Sequence, residues 1–493
     1  MDVISHKVED IFDNAPPKHE ENLVVSPINS YDRSINSESS ISTGGSEASS
    51  PPCVPQPVPP NLPIDRSYGI RSLVGVGLLL FSAYVGSIFL HAPLLPLAII
   101  SPRSFRYLVD ELLISWLMFA EFVIYKILGC RVRQFGDRVL PSTSCEPRSC
   151  LFILNHRTQL DWFFVWGLGD PIHRMKIILK DSLAKVPGAG WAMQCGSFIF
   201  LRRRIATDQE RLQKTVTYLL DIQDSCQLLI FPEGTNLTKV SIARSDTFAE
   251  KNNLPYLRYT LHPRSTGFLH LIKLIGLDNL TEVYDVTVAY PDFLPSPEIN
   301  LVHGHVPREV HYHIRRFTVK EILNGSEKHV LNDATNETLS KWLQSRWLEK
   351  EDLLKAYYAK PIGIRQFDNE ISPGSRLFYV DRSEDNNNNK LMFTYFGMLN
   401  TGFWFLVMIG IVYLVCTSLS VLIYFVVIQL LFTYFTYYTD GINIWATSWI
   451  TGSQETTPSP PPPPIDTISQ HNNNNGFIHS AGYENVDQNK KAS

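Results

Sequence analysis

The chain has 493 residues, of which 44% are hydrophobic and 19% charged, and its formal net charge is −4. This length accommodates two or three globular units at about 150 residues each. The nearly balanced charge gives no indication of nucleic-acid binding. Seven cysteines are scattered without a CxxC or His-linked metal spacing. We therefore expect free thiols in a reducing compartment and no bound metal.

Both ends of the chain have the composition of disordered segments. Residues 1–66 are rich in Ser, Pro, Asn and acidic groups, and residues 440–493 contain runs of proline and asparagine. Such segments bury too little apolar surface to fold, so we predict a disordered tail at each end. The first tail lacks the pattern of a secretory signal, which favours a protein that is not exported.

Residues 67–130 are predicted to form membrane-embedded and interfacial helices. Leu73 to Leu90 is an uncharged stretch of eighteen residues, long enough for a membrane-inserted helix. Arginines flank it on both sides and leave its orientation open, and a hairpin or re-entrant segment is an alternative to a full span. The next apolar stretch, Tyr107 to Gly129, carries charges such as Asp110 and Glu121. Charges at this density favour a helix in or against the membrane interface.

Residues 391–439 form a second apolar region, with forty-nine residues that carry no charged side chain. This length predicts two transmembrane helices with a break near Thr417–Ser420. Because they lack charged groups, we expect them to anchor the protein rather than to catalyse. Residues 362–390, which end in the low-complexity run 381–390, are interpreted as a linker.

Residues 131–361 alternate short strand-like and helix-like segments. This alternation predicts an α/β domain whose sheet is mostly parallel and flanked by helices. Loops at the carboxyl ends of such strands usually hold the chemistry. The amphipathic pattern over residues 339–358 predicts a helix that closes the domain by packing.

The first candidate site follows the apolar run Leu151–Leu154. The polar cluster Asn155–Gln159 breaks that pattern, which predicts a turn between strand and helix. On one regular helix His156 and Asp161 would be about 140° apart, so they can meet only if His156 lies in the turn and Asp161 at the helix start. A histidine held by a carboxylate removes a proton from a hydroxyl. With no nucleophile motif nearby, that hydroxyl belongs to a substrate; alternatively, Asp161 only caps the helix.

Two further motifs follow strands. Residues 227–230 lead into Phe231–Asn236, which contains Glu233, Gly234 and Thr235 and can also be an ordinary turn. The strand 198–201 leads into Arg202–Arg204, which suits a bidentate grip on phosphate but is also typical of a solvated rim.

A histidine pair lies on a predicted strand. His311 and His313 alternate with apolar residues, and no third ligand is in view. This favours an outward strand face over a metal site.

Four blocks in this order resemble the 1-acylglycerol-3-phosphate O-acyltransferase family of glycerophospholipid acyltransferases. They are NHxxxxD at 155–161, the strand and arginines at 198–203, FPEGT at 231–235 and LHPRSTGF at 261–268. Blocks such as KVPGAGWAMQ and PREVHYHIRR resemble its lysocardiolipin acyltransferase branch. The resemblance covers about residues 70–360.

The resemblance implies the glycerolipid acyltransferase fold and esterification of the free hydroxyl of a lysophospholipid from acyl-CoA. The acceptor would be lysocardiolipin, lysophosphatidylinositol, lysophosphatidylglycerol or lysophosphatidic acid. His156 is implied as the general base and Asp161 as its partner. The residues that the resemblance assigns to substrate binding are Asn155, Arg203, Glu233, Gly234, Thr235 and Pro263. The sequence departs from the family pattern at Ser197, where the family commonly has Gly, and at Arg202, where an acid is usual.

The expected partners are acyl-CoA, a lysophospholipid and membrane lipids, with no nucleic acid. Thioester chemistry needs no metal or covalent intermediate, so we expect no cofactor beyond acyl-CoA as co-substrate. Because acyl-CoA is water-soluble and the lysolipid lies at the bilayer, we expect an integral membrane protein whose site faces the cytosol. A glycan on the sequon Asn236–Thr238 would obstruct the site, which favours the same side. The endoplasmic reticulum is the family expectation. The alternatives are a CoA-independent transacylase and a catalytically silent membrane scaffold.

Overall fold

The computed structural model describes most of the chain between residues 66 and 444. The described ranges are 66–140, 148–168, 174–223, 225–296, 299–323, 332–368, 387–439, 441, 442 and 444. The predicted tail over residues 1–65, the middle of the predicted linker and residues 445–493 lie outside these ranges. The described cysteines are free thiols, at positions 130, 150, 195, 226 and 416.

In the described part of the chain, seven strands form one sheet in the order β1-β7-β6-β2-β5-β3-β4. The strands are β1 Arg131–Gly136, β2 Ser149–Leu154, β3 Lys176–Lys180, β4 Ile199–Leu201, β5 Gln227–Ile230, β6 Leu280–Ala289 and β7 Glu309–Thr318. Strands β6, β2, β5, β3 and β4 are parallel, whereas β7 is antiparallel to β6 and parallel to β1. The predicted α/β domain with a mostly parallel sheet is confirmed.

Thirteen α-helices are described. They are α1 Arg66–Gly86, α2 Leu97–Ile100, α3 Pro102–Phe122, α4 Asp161–Phe164, α5 Ala189–Cys195, α6 Ile205–Gln223, α7 Lys239–Asn252, α8 Ser265–Ile275, α9 Ile299–Val302, α10 Val319–Ile322, α11 Asp333–Ala359, α12 Asn387–Thr417 and α13 Leu419–Tyr438. A π-helical turn at Ser87–His91 and a 3-10 turn at Ala92–Leu94 continue α1.

Both faces of the sheet are covered by helices. Leu151 and Ile153 of β2 pack in a core cluster with α6, α8 and α11, whereas Phe152 and Leu154 pack with α3 on the other face. All six residues of β2 are therefore buried. A strand buried on both faces has a continuous apolar run, which is the pattern found in the sequence.

Helix α3 packs on the sheet domain through buried charges. The Asp110 carboxylate accepts hydrogen bonds from Arg106 and from Lys176 of β3, each at 2.7 Å, and from Gln223 at 2.6 Å. Arg106, Asp110 and Lys176 are all at most 2% exposed. Asp110, one of the charges that predicted an interfacial helix, is thus paired inside the protein, and α3 packs directly on the domain predicted to begin at residue 131.

Among the described residues, three helical segments have the length and apolar composition to cross a membrane: Gly69–Leu94, Phe396–Thr417 and Leu419–Tyr438. The last two form the predicted C-terminal hairpin, and Ser418 is the break between them. Polar contacts tie this hairpin to the N-terminal helices. Asn400 bonds twice with Ser115 of α3, at 2.6 and 2.9 Å, and Tyr84 of α1 donates to Gln429 at 2.8 Å.

Folded structure extends into two of the predicted segments near the C-terminal hairpin. Within the predicted linker, Phe367 is buried against Phe135 and Tyr357, and α12 already begins at Asn387. Within the predicted tail, Ile442 is 1% exposed and its N–H donates to Gln194 at 3.1 Å. The composition of both segments concealed individual apolar residues that pack on the folded part.

Candidate active site

The turn after β2 brings His156 and Asp161 together. The Nδ1 atom of His156 lies 2.9 Å from Oδ2 of Asp161, which is the first residue of α4. Since Nδ1 faces a carboxylate, it carries the proton and leaves Nε2 as the unprotonated nitrogen. Asp161 is fully buried, whereas the His156 side chain is 18% exposed. The imidazole thus has one side held by the protein and another open to a substrate.

The Asp161 carboxylate is fixed by five donors, of which the Thr158 hydroxyl, 3.4 Å from Oδ1, is the most distant. Besides His156, its Oδ2 accepts the backbone N–H groups of Arg157 at 2.6 Å and Thr158 at 2.9 Å. Its Oδ1 accepts the hydroxyl of Tyr290 at 2.7 Å. Burial and then the Asp161 charge raise the pKa of Tyr290 well above its usual value, so this hydroxyl remains a donor. The backbone donors belong to the turn before α4, so Asp161 orders the turn that carries its own partner.

Asn155 is placed differently from the prediction. Its amide Oδ1 accepts the N–H of Val288 at 2.8 Å, its Nδ2 donates to the Val288 carbonyl at 3.2 Å, and the residue is 0% exposed. The side chain thus joins the end of β2 to β6. This placement does not support the predicted contact with substrate and makes Asn155 a residue that holds the His156–Asp161 turn in position.

Glu233 lies at the carboxyl end of β5, beside the turn that carries His156 and Asp161. It is 3% exposed, and its Oε1 accepts the indole N–H of Trp347 at 3.0 Å. Burial raises the pKa of Glu233 to about 8, although the bond from Trp347 opposes the shift. The neighbouring Phe231 ring lies 4.3 Å from the His156 ring, measured between centroids. Glu233 therefore belongs to the same centre as the His156–Asp161 pair.

Backbone hydrogen bonds join the loops that carry three of the predicted blocks, at the carboxyl ends of the parallel strands. Leu237 N–H donates to the His156 carbonyl at 2.9 Å, and Arg264 N–H donates to the Pro232 carbonyl at 2.8 Å. Gly234 turns the chain with φ of 72°, which favours glycine. Thr235 and Pro263, both half-buried, lie in these joined loops. Their predicted contact with substrate remains a prediction.

Arg203 lies farther from β2 than the other predicted site residues, on the β4 side of the sheet. It follows β4, which is three strands from β2, and at about 4.8 Å per strand this is a separation of about 14 Å. Asp208 closes the arginine turn by accepting the N–H groups of Arg202 and Arg204, each at 2.9 Å. Arg203 is exposed with φ of 62°, and Arg202 pairs with Asp181 at 3.2 Å. The structure therefore does not bring Arg203 into the His156–Asp161 centre.

Helix α11 supplies supporting residues that the sequence did not reveal. Trp347 holds Glu233, and Lys350 is 1% exposed and donates to the Val286 carbonyl. The Glu351 carboxylate accepts the N–H groups of Tyr259 at 3.0 Å and Thr260 at 2.9 Å. The predicted packing role is incomplete, because this helix also fixes the loop before Pro263. The sequence feature that could have indicated this supporting role is the presence of charged residues on the apolar face of the helix.

The predicted outward face at His311 is wrong. His311 is 0% exposed; its Nε2 donates to Glu309 at 2.8 Å, and its Nδ1 accepts the Tyr357 hydroxyl at 2.8 Å. The C-terminal part of α11 covers this strand face. Within the described ranges, no cluster of three or more His, Cys, Asp or Glu residues is arranged to hold a metal ion.

Comparison with known proteins gives a consistent set of relatives. Residues 136–291 match the family model described as Acyltransferase. Lysocardiolipin acyltransferase 1 of Danio rerio is 41% identical over 284 residues, which are 57% of this chain and 69% of the relative. Lysophosphatidylinositol acyltransferase 10 of Caenorhabditis elegans is 34% identical over 312 residues, 62% and 72% of the two chains. A probable 1-acyl-sn-glycerol-3-phosphate acyltransferase 5 of Arabidopsis thaliana is 36% identical over 296 residues, 59% and 74%.

A mostly parallel sheet whose central strand ends in this histidine–aspartate turn, with the matching family model, defines an acyltransferase. The sequence identities to these relatives, and the lengths over which they align, then define its family within the acyltransferases. This chain belongs to the 1-acylglycerol-3-phosphate O-acyltransferase family of glycerophospholipid acyltransferases, and it is an O-acyltransferase.

Proposed function

We propose that this enzyme transfers an acyl group from acyl-CoA to the free hydroxyl of a lysophospholipid, with His156 as the general base. The observation that carries the proposal is the 2.9 Å contact between His156 Nδ1 and the buried Asp161 carboxylate. That contact leaves Nε2 free to accept a proton at the exposed side of the ring.

The reaction follows from this geometry. Nε2 of His156 takes the hydroxyl proton while the hydroxyl oxygen attacks the thioester carbonyl carbon, and Asp161 stabilises the imidazolium that forms. The tetrahedral intermediate then collapses, the carbon–sulfur bond breaks, and the departing CoA sulfur takes the proton from His156. No enzyme-bound acyl group is needed. General-base assistance of this kind contributes about 10²–10⁴ in rate.

The relatives and the membrane helices support the choice of acceptor and location. The relatives are named as acyltransferases of lysocardiolipin, lysophosphatidylinositol and 1-acyl-sn-glycerol-3-phosphate. Three apolar helical segments support insertion in a membrane, where a lysolipid resides. We propose that the site faces the cytosol, which supplies acyl-CoA, and that the membrane is the endoplasmic reticulum.

The test is an acylation assay with the purified full-length chain in lipid vesicles. One labelled acyl-CoA is offered with each of lysocardiolipin, lysophosphatidylinositol, lysophosphatidylglycerol and lysophosphatidic acid. We expect labelled product with at least one acceptor and none when acyl-CoA is omitted. A product formed from a labelled phospholipid donor without acyl-CoA would instead establish a transacylase, and no product in any arm would refute the proposal.

A further inference from the structure

An exposed arginine lies over the FPEGT loop, next to the His156–Asp161 centre. A Cβ atom added to Gly234 would lie 3.7 Å from both Cδ and Nε of Arg264 and 3.8 Å from Cζ. Building on the proposed function, we propose that Arg264 binds a phosphate group of a substrate at the catalytic centre. The phosphate belongs either to the lysophospholipid or to acyl-CoA.

The strand order favours Arg264 over Arg203 for this role. Arg264 is bonded through its N–H to the carbonyl of Pro232, just after β5, and β5 pairs directly with β2. Arg203 follows β4 at the edge of the sheet, with β3 and β5 between it and β2. A phosphate near the reacting hydroxyl is therefore within reach of Arg264, whereas Arg203 lies about two strands further away.

The loop that carries Arg264 is held in place before any ligand arrives. Glu351 accepts the backbone N–H groups of residues 258–260. Arg157, from the catalytic turn, donates to the Tyr259 carbonyl at 2.7 Å, and His262 N–H donates to Ser245 at 3.2 Å. Because these contacts fix the backbone on the N-terminal side of Arg264, less conformational entropy is lost on binding.

The local charges leave the Arg264 guanidinium available to an anion. Within the described part of the chain, Arg264 has no ion-pair partner. Burial raises the pKa of neighbouring Glu233 to about 8, so that carboxyl is mostly neutral at pH 7 and does not compensate the arginine. Asp161 is buried and faces His156. The planar guanidinium holds paired N–H donors in a fixed geometry that matches two phosphate oxygens, whereas an ammonium group acts as a point charge.

The test compares steady-state kinetics of the vesicle-reconstituted full-length enzyme and its variants, with KM measured separately for lysophospholipid and acyl-CoA. Arg264→Gln should raise the KM of the substrate whose phosphate is bound by about 10-fold or more, because a charged hydrogen bond is lost. Arg264→Lys should recover part of this loss. The matched control is Arg138→Gln. Arg138 is exposed and follows β1, which runs antiparallel to β2, so the carboxyl end of β1 lies at the opposite end of the strands from the His156–Asp161 turn.

The outcomes separate the two sources of phosphate. A rise confined to the lysophospholipid KM assigns the acceptor phosphate, and a rise confined to acyl-CoA assigns the donor. A folding defect would lower the apparent kcat without moving either KM, and the Lys variant preserves the charge if the Gln variant fails to fold. The inference is overturned if both KM values of the Arg264 variants stay within twofold of wild type, or if Arg203→Gln causes the larger rise. Absence of any wild-type acylation would refute the proposed function instead.

Discussion

Replacing Glu351 with glutamine should destabilise the enzyme strongly, although the two side chains have nearly the same size and shape. Its carboxylate accepts the N–H of Arg258 at 2.5 Å, Tyr259 at 3.0 Å and Thr260 at 2.9 Å, and also the Thr260 hydroxyl at 3.0 Å. Glutamine keeps one acceptor oxygen and turns an amide N–H₂ group toward the other donors. With about 1.5–3 kcal/mol for each charged hydrogen bond, and a discount for partial exposure, we expect a loss of about 2–4 kcal/mol.

The measurement is the thermal unfolding midpoint of the detergent-solubilised full-length protein. A loss of this size corresponds to a midpoint lowered by about 5–10 °C, given a few degrees per kcal/mol for a domain of this length. Glu337→Gln is the matched control on the same helix. Its side chain is 66% exposed and pairs with Lys341, so its midpoint should stay within about 1 °C of wild type. Equal midpoints for the two variants would refute the role given to Glu351.

Three further predictions concern the His156–Asp161 centre and its neighbours. Tyr290→Phe removes a 2.7 Å hydrogen bond to Asp161, and it should lower kcat about 10-fold with little change in either KM; an unchanged kcat would contradict this. Asn155→Ala breaks both hydrogen bonds to Val288 and should lower the free energy of unfolding, measured by denaturant titration, by about 2–3 kcal/mol. A raised KM with an unchanged free energy of unfolding would instead support the predicted contact of Asn155 with substrate. Burial raises the pKa of Glu233 from 4.5 to about 8. Between pH 4.5 and about 8 the native state therefore binds more protons than the unfolded state, so the free energy of unfolding should fall as the pH rises through this range. Unfolding midpoints measured across that range should depend less on pH in Glu233→Gln, and an identical pH dependence would contradict the buried placement.

The elements that depend on local pattern could be predicted from the sequence. The run before Asn155 is apolar at every position because both faces of β2 are covered, and polar turn residues mark its end. The angular separation of His156 and Asp161 on a helix correctly required a turn between them. The C-terminal hairpin could also be predicted from local pattern, because its length and its break at Ser418 are properties of one continuous segment.

Features that depend on the order of strands and on distant contacts could not be predicted. The sequence shows that Arg203 follows a strand, but not that β4 is at the edge of the sheet. Glu351 lies about ninety residues beyond the backbone that it holds, and helical spacing alone indicates only a packed face. Charges in α3 are equally compatible with a membrane interface and with burial, and only the pairing of Asp110 with Lys176 decides between them.

The central claim is that His156, held by Asp161, removes the proton from the acceptor hydroxyl. The most direct measurement is the rate of acyl transfer from acyl-CoA to a lysophospholipid by His156→Ala in vesicles, with the unfolding midpoint measured in parallel. We expect kcat to fall by about 10²–10⁴ with the midpoint close to wild type. A variant that stays folded and retains kcat within about tenfold of wild type would contradict the mechanism.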